Sequence, residues 1–324
     1  MNVGLYLDLR NPPPWRQDPA RTYAFALEVC EEADRLGAHS VWLSEHHLFE
    51  DGYLPQPLTF AAAIAARTTR MRIGTSVVIA PLRPAIAIAE EAAIVDLVSA
   101  GRLELGLGAG YRSAEFDLFE ADIAHRYGTT DARAREVRAL WRDERVTPRP
   151  VQSRVPIWMG YQGPQGARRA GVLGEGLLSS SAALYEPYRD GLVDAGHDPA
   201  TTARMAGVIQ GFVTDDPERD WPRIAPHVAY QADSYRRYMV EGTGRPPPKP
   251  VDPERLRSDT VGGALQSFLC ATPEDAAEQI RAHTAGAPVE TVFLWASIAG
   301  MPEPLVVAHV ETICTRLAPL LTTA

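Results

Sequence analysis

The chain has 324 residues, 45% of them apolar and 23% charged, enough to bury one large core or two small ones. Its 32 Lys and Arg against 41 Asp and Glu leave a net charge of −9, which repels phosphate backbones and anionic lipid surfaces and sets aside nucleic-acid and membrane partners in favour of small-molecule chemistry. Lys249 is the single lysine, and Cys30, Cys270 and Cys314 are widely separated with no C-x-x-C pair; Schiff-base chemistry, a disulfide framework and a cysteine zinc site are not signalled, and reduced thiols in a cytoplasmic protein are expected.

No stretch approaches ~18 consecutive apolar residues and the start lacks a basic region followed by an apolar run, so neither a membrane span nor a leader is expected. Residues 3–7 read as a buried strand. A helix opened by Asp18 or Thr22 follows, with Phe25, Val29, Ala33 and Leu36 on one face, and Gly37 stops it. Strand two is 39–43, an Ala-rich helix covers 60–70, a β-branched strand 71–79, and a helix 85–99 ends at Gly101 before strand four at 102–107. A helix over 131–142, a strand over 155–159, a helix over 164–172 and a strand over 176–179 continue the alternation. Strands seven and eight fall at 206–213 and 290–295, the latter after a helix start at Thr272-Pro273-Glu274-Asp275 and before a helix that ends near Leu320.

Eight βα units in a chain of this length predict an α/β fold of the (β/α)8 TIM-barrel type, one domain over residues 1–324, with reactive groups at the carboxyl ends of the strands. A doubly wound open sheet is the competing layout. A polar, Pro-rich stretch at 233–265 interrupts the units before the last one and reads as a lid or a disordered insertion.

Three clusters carry chemistry. Ser44-Glu45-His46-His47 falls where strand two ends; adjacent strand residues point to opposite sides, so one imidazole faces the mouth, and His46 is favoured. Both histidines could instead satisfy local backbone partners. A metal needs further ligands, yet His125, His197, His227 and His283 lie on unrelated elements with no H-x-H or H-E-x-x-H spacing, and no metal site is expected. The run from Leu103 to Tyr111 carries Gly106, Gly108 and Gly110, but Tyr111 stands where a dinucleotide fingerprint needs Gly or Ala. Its glycines read either as room for a flat ligand, with Tyr111 beside it and Glu115 or Arg112 as polar neighbours, or as tight strand packing. The third cluster, Gly160 to Arg169, reads as a loop feeding a helix amino end with two arginines nearby, suited to a phosphate, or as an ordinary helix start.

Together and in this order, these features resemble the bacterial luciferase-like flavin monooxygenase family, which includes reduced-FMN monooxygenases and deazaflavin-dependent oxidoreductases. The resemblance is carried by Glu45-His46-His47 with Gly52-Tyr53 and Pro55, by Ile73 to Val78, by Pro81-Leu82-Arg83-Pro84, by Asp96 to Arg102, by Gly106 to Tyr111 with Glu115-Phe116, by Arg168-Arg169-Ala170, and by Phe268 to Asp275. It implies a (β/α)8 barrel with the flavin ring at the carboxyl ends of the strands, among Thr75, Ser76, Val77, Ala109, Tyr111 and Met159, and its phosphate near Gly160, Tyr161, Gln162, Gly163, Gln165 and Gly166. It also implies a non-prolyl cis peptide between Ser76 and Val77 beneath the ring, and a catalytic His46 with Glu45 and His47 as neighbours. Ala109 stands where the luciferase carries arginine and Tyr161-Gln162 where it carries Glu-Ser, which removes support for light emission and a long-chain aldehyde.

The function this implies is oxygenation of a small hydrophobic organic substrate by reduced FMN and O2, the reduced flavin coming from a separate reductase because the chain lacks a nicotinamide fingerprint. His46 would act as general base or proton donor. The alternative is deazaflavin-dependent hydride transfer on the same fold; a third reading retains ligand binding alone. Tyr6, Asp8, Phe49, Tyr53, Trp295 and the 233–265 segment would shape the substrate pocket. The resemblance further implies a homodimer through barrel helices, for which the run Ala61-Ala62-Ala63-Ile64-Ala65-Ala66 allows close approach, unless it is buried within one chain.

Overall fold

The computed structural model describes residues 1–261 and 267–322. In chain order the strands are β1 Asn2–Leu7, β2 Ser40–Leu43, β3 Arg72–Thr75, β4 Val78–Ile79, β5 Leu103–Gly108, β6 Ile157–Met159, β7 Gly176–Leu178, β8 Met205–Ile209, β9 Gly211–Val213, β10 Arg257–Ser258, β11 Phe268–Ala271 and β12 Val289–Trp295. The helices are α1 Pro19–Leu36, α2 Pro57–Arg67, α3 Ala85–Val98, α4 Ser113–Leu118, α5 Arg126–Arg142, α6 Gly163–Leu173, α7 Tyr185–Asp194, α8 Pro199–Thr202, α9 Pro217–Val240, α10 Pro253–Leu256, α11 Pro273–Thr284, α12 Glu303–Thr312 and α13 Ala318–Thr322.

The strands pair in parallel in the order β3-β2-β1-β12-β8-β7-β6-β5-β4, and β3 also pairs with β5, which closes the ring. Since β3 and β4 are two pieces of one strand, eight positions are filled and the expected (β/α)8 barrel is the fold. The bore is packed by alternating large and small residues. Trp42 stacks on Phe293 with ring centroids 4.9 Å apart and meets Trp158 edge-on at 6.0 Å. Each indole lies where a neighbouring strand has glycine: a Cβ on Gly74 would sit 2.3 Å from Trp42, and one on Gly176 would sit 2.4 Å from Trp158.

Local signals act as the sequence suggests at the first helix. Asp18 accepts the Ala20 amide, and Gly37 closes α1 at φ 90°, a conformation that costs glycine little. Inside the same helix Asp34 accepts the amides of Thr69, Arg70 and Met71, and so fixes where β3 begins.

Three expectations are corrected. The strand read over 71–79 is broken at 76–77: Ser76 still donates its amide to Leu43 O at 2.6 Å, the Ser76–Val77 peptide is cis, and pairing resumes at Val78. The strand read over 206–213 is broken at Gln210, whose side chain accepts from Trp295 Nε1 at 3.1 Å. Beyond it β9 leaves the barrel and joins β11 and β10 in a separate parallel sheet. The 233–265 segment does not begin as a loop, since α9 continues to Val240 despite Pro222 and Pro226, and α10 and β10 follow; its residues 262–265 lie outside the described residues.

The chain ends in a helical run, Glu303–Thr322, which is long and apolar enough to cross a membrane by length and composition alone. Its Leu305, Val306, His309, Val310, Ile313, Cys314, Leu317 and Leu321 are buried against the barrel, the arrangement of a core helix.

Candidate active site at the carboxyl end of the barrel

The chain leaving β2 turns at Ser44 and sends the side chain of His46 into the barrel mouth, with those of Glu45 and His47 on either side in sequence turned elsewhere. His46 Nδ1 lies 2.8 Å from Glu115 Oε1 on α4, and the same oxygen accepts the His47 amide at 2.9 Å. Glu115 is fully buried. With Glu115 as acceptor, Nδ1 carries the proton and Nε2 is left facing the Tyr111 hydroxyl at 3.4 Å. His46 also stacks on Phe49 at 4.6 Å and meets Tyr53, Tyr111 and Tyr235 edge-on at 4.8, 5.2 and 6.1 Å, so the free nitrogen sits in an aromatic cage.

His47 points away, as strand alternation suggested. Its Nε2 lies 2.9 Å from Glu45 Oε1 and its ring packs on Phe119. Glu45 meanwhile accepts from Arg83 at 2.6 Å and from the Ile79 amide at 2.9 Å, which ties the exit of β2 to β4. The structure thus separates His46 from its two neighbours: it faces the mouth, and they hold the strands behind it.

A platform of glycines and the broken strand forms the floor. Tyr6 donates its hydroxyl to Ser76 O at 2.5 Å, and burial raises that phenol far above its ordinary range. Thr75 Oγ1 both accepts from Gly106 N and donates to Gly106 O at 2.8 Å, so its hydroxyl is used between strands. A Cβ on Gly106 would sit 1.8 Å from Thr75 O, and one on Gly108 or on Gly160 would sit 2.3 Å from the Val77 methyls. Of the two readings of the Gly-rich run, tight packing therefore explains Gly106 and Gly108. Ala109 and Met159 are buried at the ends of β5 and β6, and Tyr111 is half-exposed with its hydroxyl end at His46.

The helix start after β6 is open. No side chain caps α6 at Gln162, and a Cβ on Gly163 would meet nothing within 4 Å, leaving the first amides free to receive an anion. Gly166 is packed on Tyr161, and the Tyr161 hydroxyl donates to Asp131 Oδ1 at 2.5 Å. Gln165 is exposed. The arginines are turned elsewhere: Arg168 pairs with Asp194, and Arg169 lies 2.7 Å from Asp131. The residues present fit a phosphorylated flavin through backbone amides at α6 and a flat floor at Ser76 and Val77.

The residues expected to shape a substrate pocket converge as well. Trp295 packs on Tyr6 with centroids 4.3 Å apart, and Phe49 and Tyr53 line the cage. Asp8 is buried, and burial, opposed by Arg10, pushes its carboxyl up to about 7. Sequence reading left out Arg10 and Asp51, and took in Ser234, Tyr235 and Tyr238 only as part of the 233–265 segment expected to shape the pocket. Arg10 is buried and lies 2.7 Å from Asp51, and it also donates to Ser234 on α9. From α9, Tyr235 hydrogen-bonds Tyr53 through their hydroxyls at 2.7 Å, and Tyr238 packs on Phe49 at 3.9 Å. Arg10 alternates with Asp8 in Asp8-Leu9-Arg10, and Tyr235 and Tyr238 are three apart on a helix; those spacings were the available signals.

Comparison with known proteins bears on the family and the fold. The chain is 32% identical over 199 residues to the F420-dependent glucose-6-phosphate dehydrogenase of Amycolatopsis mediterranei, covering 55% of this chain and 59% of that protein. It is 30% identical over 167 residues to the oxygenase component of the flavin-dependent trigonelline monooxygenase of Acinetobacter baylyi, covering 46% of each. The chain thus spans about half the length of the curated relatives it matches. The crystal structure of monooxygenase RslO1 from Streptomyces bottropensis superimposes with a TM-score of 0.80 at 24% identity, over 98% of this chain and 99% of that one, which shows the fold. The model of the luciferase-like monooxygenase family matches residues 1–291, and with a closed parallel barrel and a histidine in its carboxyl-end mouth the chain belongs to that family.

Proposed function

We propose that the protein is a flavin-dependent monooxygenase that uses reduced FMN, supplied by a separate reductase, and O2 to oxygenate a small hydrophobic organic molecule. The observation that carries the reading is the imidazole of His46, held by Glu115 at 2.8 Å with its other nitrogen facing the Tyr111 hydroxyl at 3.4 Å inside an aromatic cage. Bound reduced flavin supplies the electrons and, with O2, the oxygen that is transferred. The chain's own residues do the rest. The amides at the start of α6 hold the phosphate, the floor at Ser76 and Val77 orients the ring, and Tyr6 fixes that floor through Ser76 O. Phe49, Tyr53, Tyr111 and Tyr235 exclude water, while His46 Nε2 takes up or delivers a proton and Glu115 keeps the opposite nitrogen protonated.

Similarity to an F420-dependent dehydrogenase favours a second reading, in which the same imidazole serves hydride transfer with a deazaflavin. Calorimetric titration of the purified chain with FMN, anaerobically reduced FMN and the deazaflavin separates the two. Tight binding of reduced FMN, followed by incorporation of labelled O2 into an organic product, supports the first reading. Binding of the deazaflavin alone supports the second. Rapid NADH consumption with added FMN and no partner enzyme overturns the separate reductase.

The helix α3 exposes Ile86, Ile94, Leu97 and Val98 along one side, which supports a homodimer through this face. The alanine run on α2 contributes less to such a contact, because Ala61, Ile64 and Ala65 are buried within the chain. Cys30, Cys270 and Cys314 are free and buried, which fits a cytoplasmic address.

A further inference from the structure

Asp8 and Arg10 lie two residues apart on the chain leaving β1, and both are buried in the barrel mouth. Arg10 uses Nε and Nη2 on Asp51 and Ser234, while its backbone amide donates to Asp8 Oδ1 at 3.3 Å. Its Nη1 has no partner among the described residues, and neither have Asp8 Oδ2 and Asp51 Oδ1. A buried donor and buried acceptors left unmet within the Asp8–Arg10–Asp51 cluster cost stability that a ligand offering the reverse groups would recover.

The surroundings say what that ligand is. The Arg10 guanidinium lies 5.3 to 5.7 Å from the ring centroids of Phe49, Tyr53, Tyr230 and Tyr235. Three of these rings, Phe49, Tyr53 and Tyr235, also surround His46, which puts the unmet pair one ring away from the imidazole. Asp51 already answers the charge of Arg10, so the subsite asks for polar atoms and not for an anion. Aromatic walls of this kind suit a flat, conjugated body with an oxygen acceptor and a hydroxyl at its polar end.

We propose that Asp8 and Arg10 form the polar end of the substrate site, and that the substrate is a conjugated ring bearing an acceptor oxygen, which meets Arg10 Nη1, and a hydroxyl, which donates to Asp8 Oδ2. This rests on the reading of the mouth as a flavin-dependent active site. The groups that face Asp8 are Arg10 from its own strand exit, Tyr6 from β1, Asp51 and Tyr53 from the loop after β2, and Tyr235 from α9. Burial keeps the three phenols protonated through neutral pH, whereas the Asp8 carboxyl titrates at about 7. Above that pH it accepts the ligand hydroxyl as a carboxylate; below it the carboxyl is protonated and the preference weakens.

The test is calorimetric titration of the full chain, with and without oxidised FMN, using meta-hydroxyacetophenone, acetophenone and ethylbenzene at about pH 8.5 and about pH 5.5. The expected result at the higher pH is binding of the hydroxyketone about tenfold more tightly than the ketone, and of the ketone several-fold more tightly than the hydrocarbon. At the lower pH the hydroxyl advantage shrinks. Asp8→Asn makes that advantage independent of pH, and Arg10→Met removes the advantage of the ketone. Arg10→Met also breaks a buried ion pair, so Asp8→Asn, which keeps size and shape, decides the matter if the other variant does not fold. Equal affinity for the three probes, no saturable binding of any of them, or a pH-dependent advantage that persists in Asp8→Asn overturns the assignment. Failure of FMN and the deazaflavin alike to bind overturns the flavin reading instead, and the probes still report on the subsite in the chain without cofactor.

Discussion

Glu115 Oε1 accepts from both His46 Nδ1 at 2.8 Å and the His47 amide at 2.9 Å, so one buried carboxylate sets the position and the tautomer of the imidazole. Truncating a general acid or base costs about 10²–10⁴ in turnover, which is the loss expected for His46→Ala. Glu115→Gln offers an amide that can present either its oxygen or its NH2 to Nδ1, so the tautomer is no longer enforced. Turnover is expected to fall by about tenfold or more in that variant, with cofactor affinity within about twofold. Nitrogen NMR of His46 checks the cause: Nδ1–H dominates for the neutral ring in the parent chain and mixes with Nε2–H in Glu115→Gln. An unchanged tautomer would assign Glu115 a packing role only.

The methyls of Val77 fill the space that Gly108 and Gly160 leave open. A Cβ on Gly160 would sit 2.3 Å from Val77 Cγ1, and the valine has no flexible end with which to retreat. Gly160→Ala is expected to destabilise by about 1–3 kcal/mol and to weaken FMN binding, because Val77 belongs to the floor. Adding Val77→Ala should restore most of the stability lost in Gly160→Ala. Gly106→Ala meets the backbone oxygen of Thr75 instead, at 1.8 Å, and no side-chain truncation should rescue it. Urea unfolding of the single and double variants measures the coupling; additive losses would show that Val77 is not the partner.

Ile94 and Val98 stand one turn apart on the exposed side of α3, with Leu97 beside them. If this face joins two copies, Ile94→Glu combined with Val98→Arg places charge in the interface and should give a monomer by sedimentation, with circular dichroism unchanged. A parent chain that already sediments as a monomer removes the dimer from the proposal.

Much of this was legible in the sequence because it is local. The alternation of strands and helices, Gly37 as a helix stop, and the histidine at the end of β2 each rest on a handful of neighbouring residues. What the sequence hid depends on partners far along the chain. Glu115 is 69 residues from His46, and the choice between the two readings of the Gly-rich run needed Thr75, 31 residues from Gly106. The cis peptide at Ser76–Val77 was implied by the family resemblance although the strand pattern ran through it, whereas the break at Gln210 coincides with the indole of Trp295, which no strand pattern records. Pro222 and Pro226 concealed the length of α9, so that the pocket-shaping role expected of 233–265 was not traced to a helix bringing Ser234, Tyr235 and Tyr238 over the mouth. Arg168 and Arg169 looked like phosphate ligands until the structure placed Asp194 and Asp131 beside them.

His309 supplies a pH dependence away from the mouth. It is fully buried on α12, stacked on Phe212, where the Val213 amide donates to Nδ1 and Nε2–H donates to Trp295 O, each at 3.1 Å. This pairing needs a neutral ring, and burial pushes the imidazole down to about 4 from an ordinary value of 6.5. Between those two values the unfolded chain binds a proton that the folded chain refuses, so stability is full above 6.5 and declines as the pH falls through 4. The shift corresponds to about 3 kcal/mol at most. His227 and His283 are lowered by burial too and act with the same sign, so the parent curve alone does not isolate His309. His309→Gln should be less stable at neutral pH yet lose less on acidification, and the difference between the two urea-unfolding series, plotted against pH, should narrow over that window. Parallel curves would show that His309 is not the group responsible.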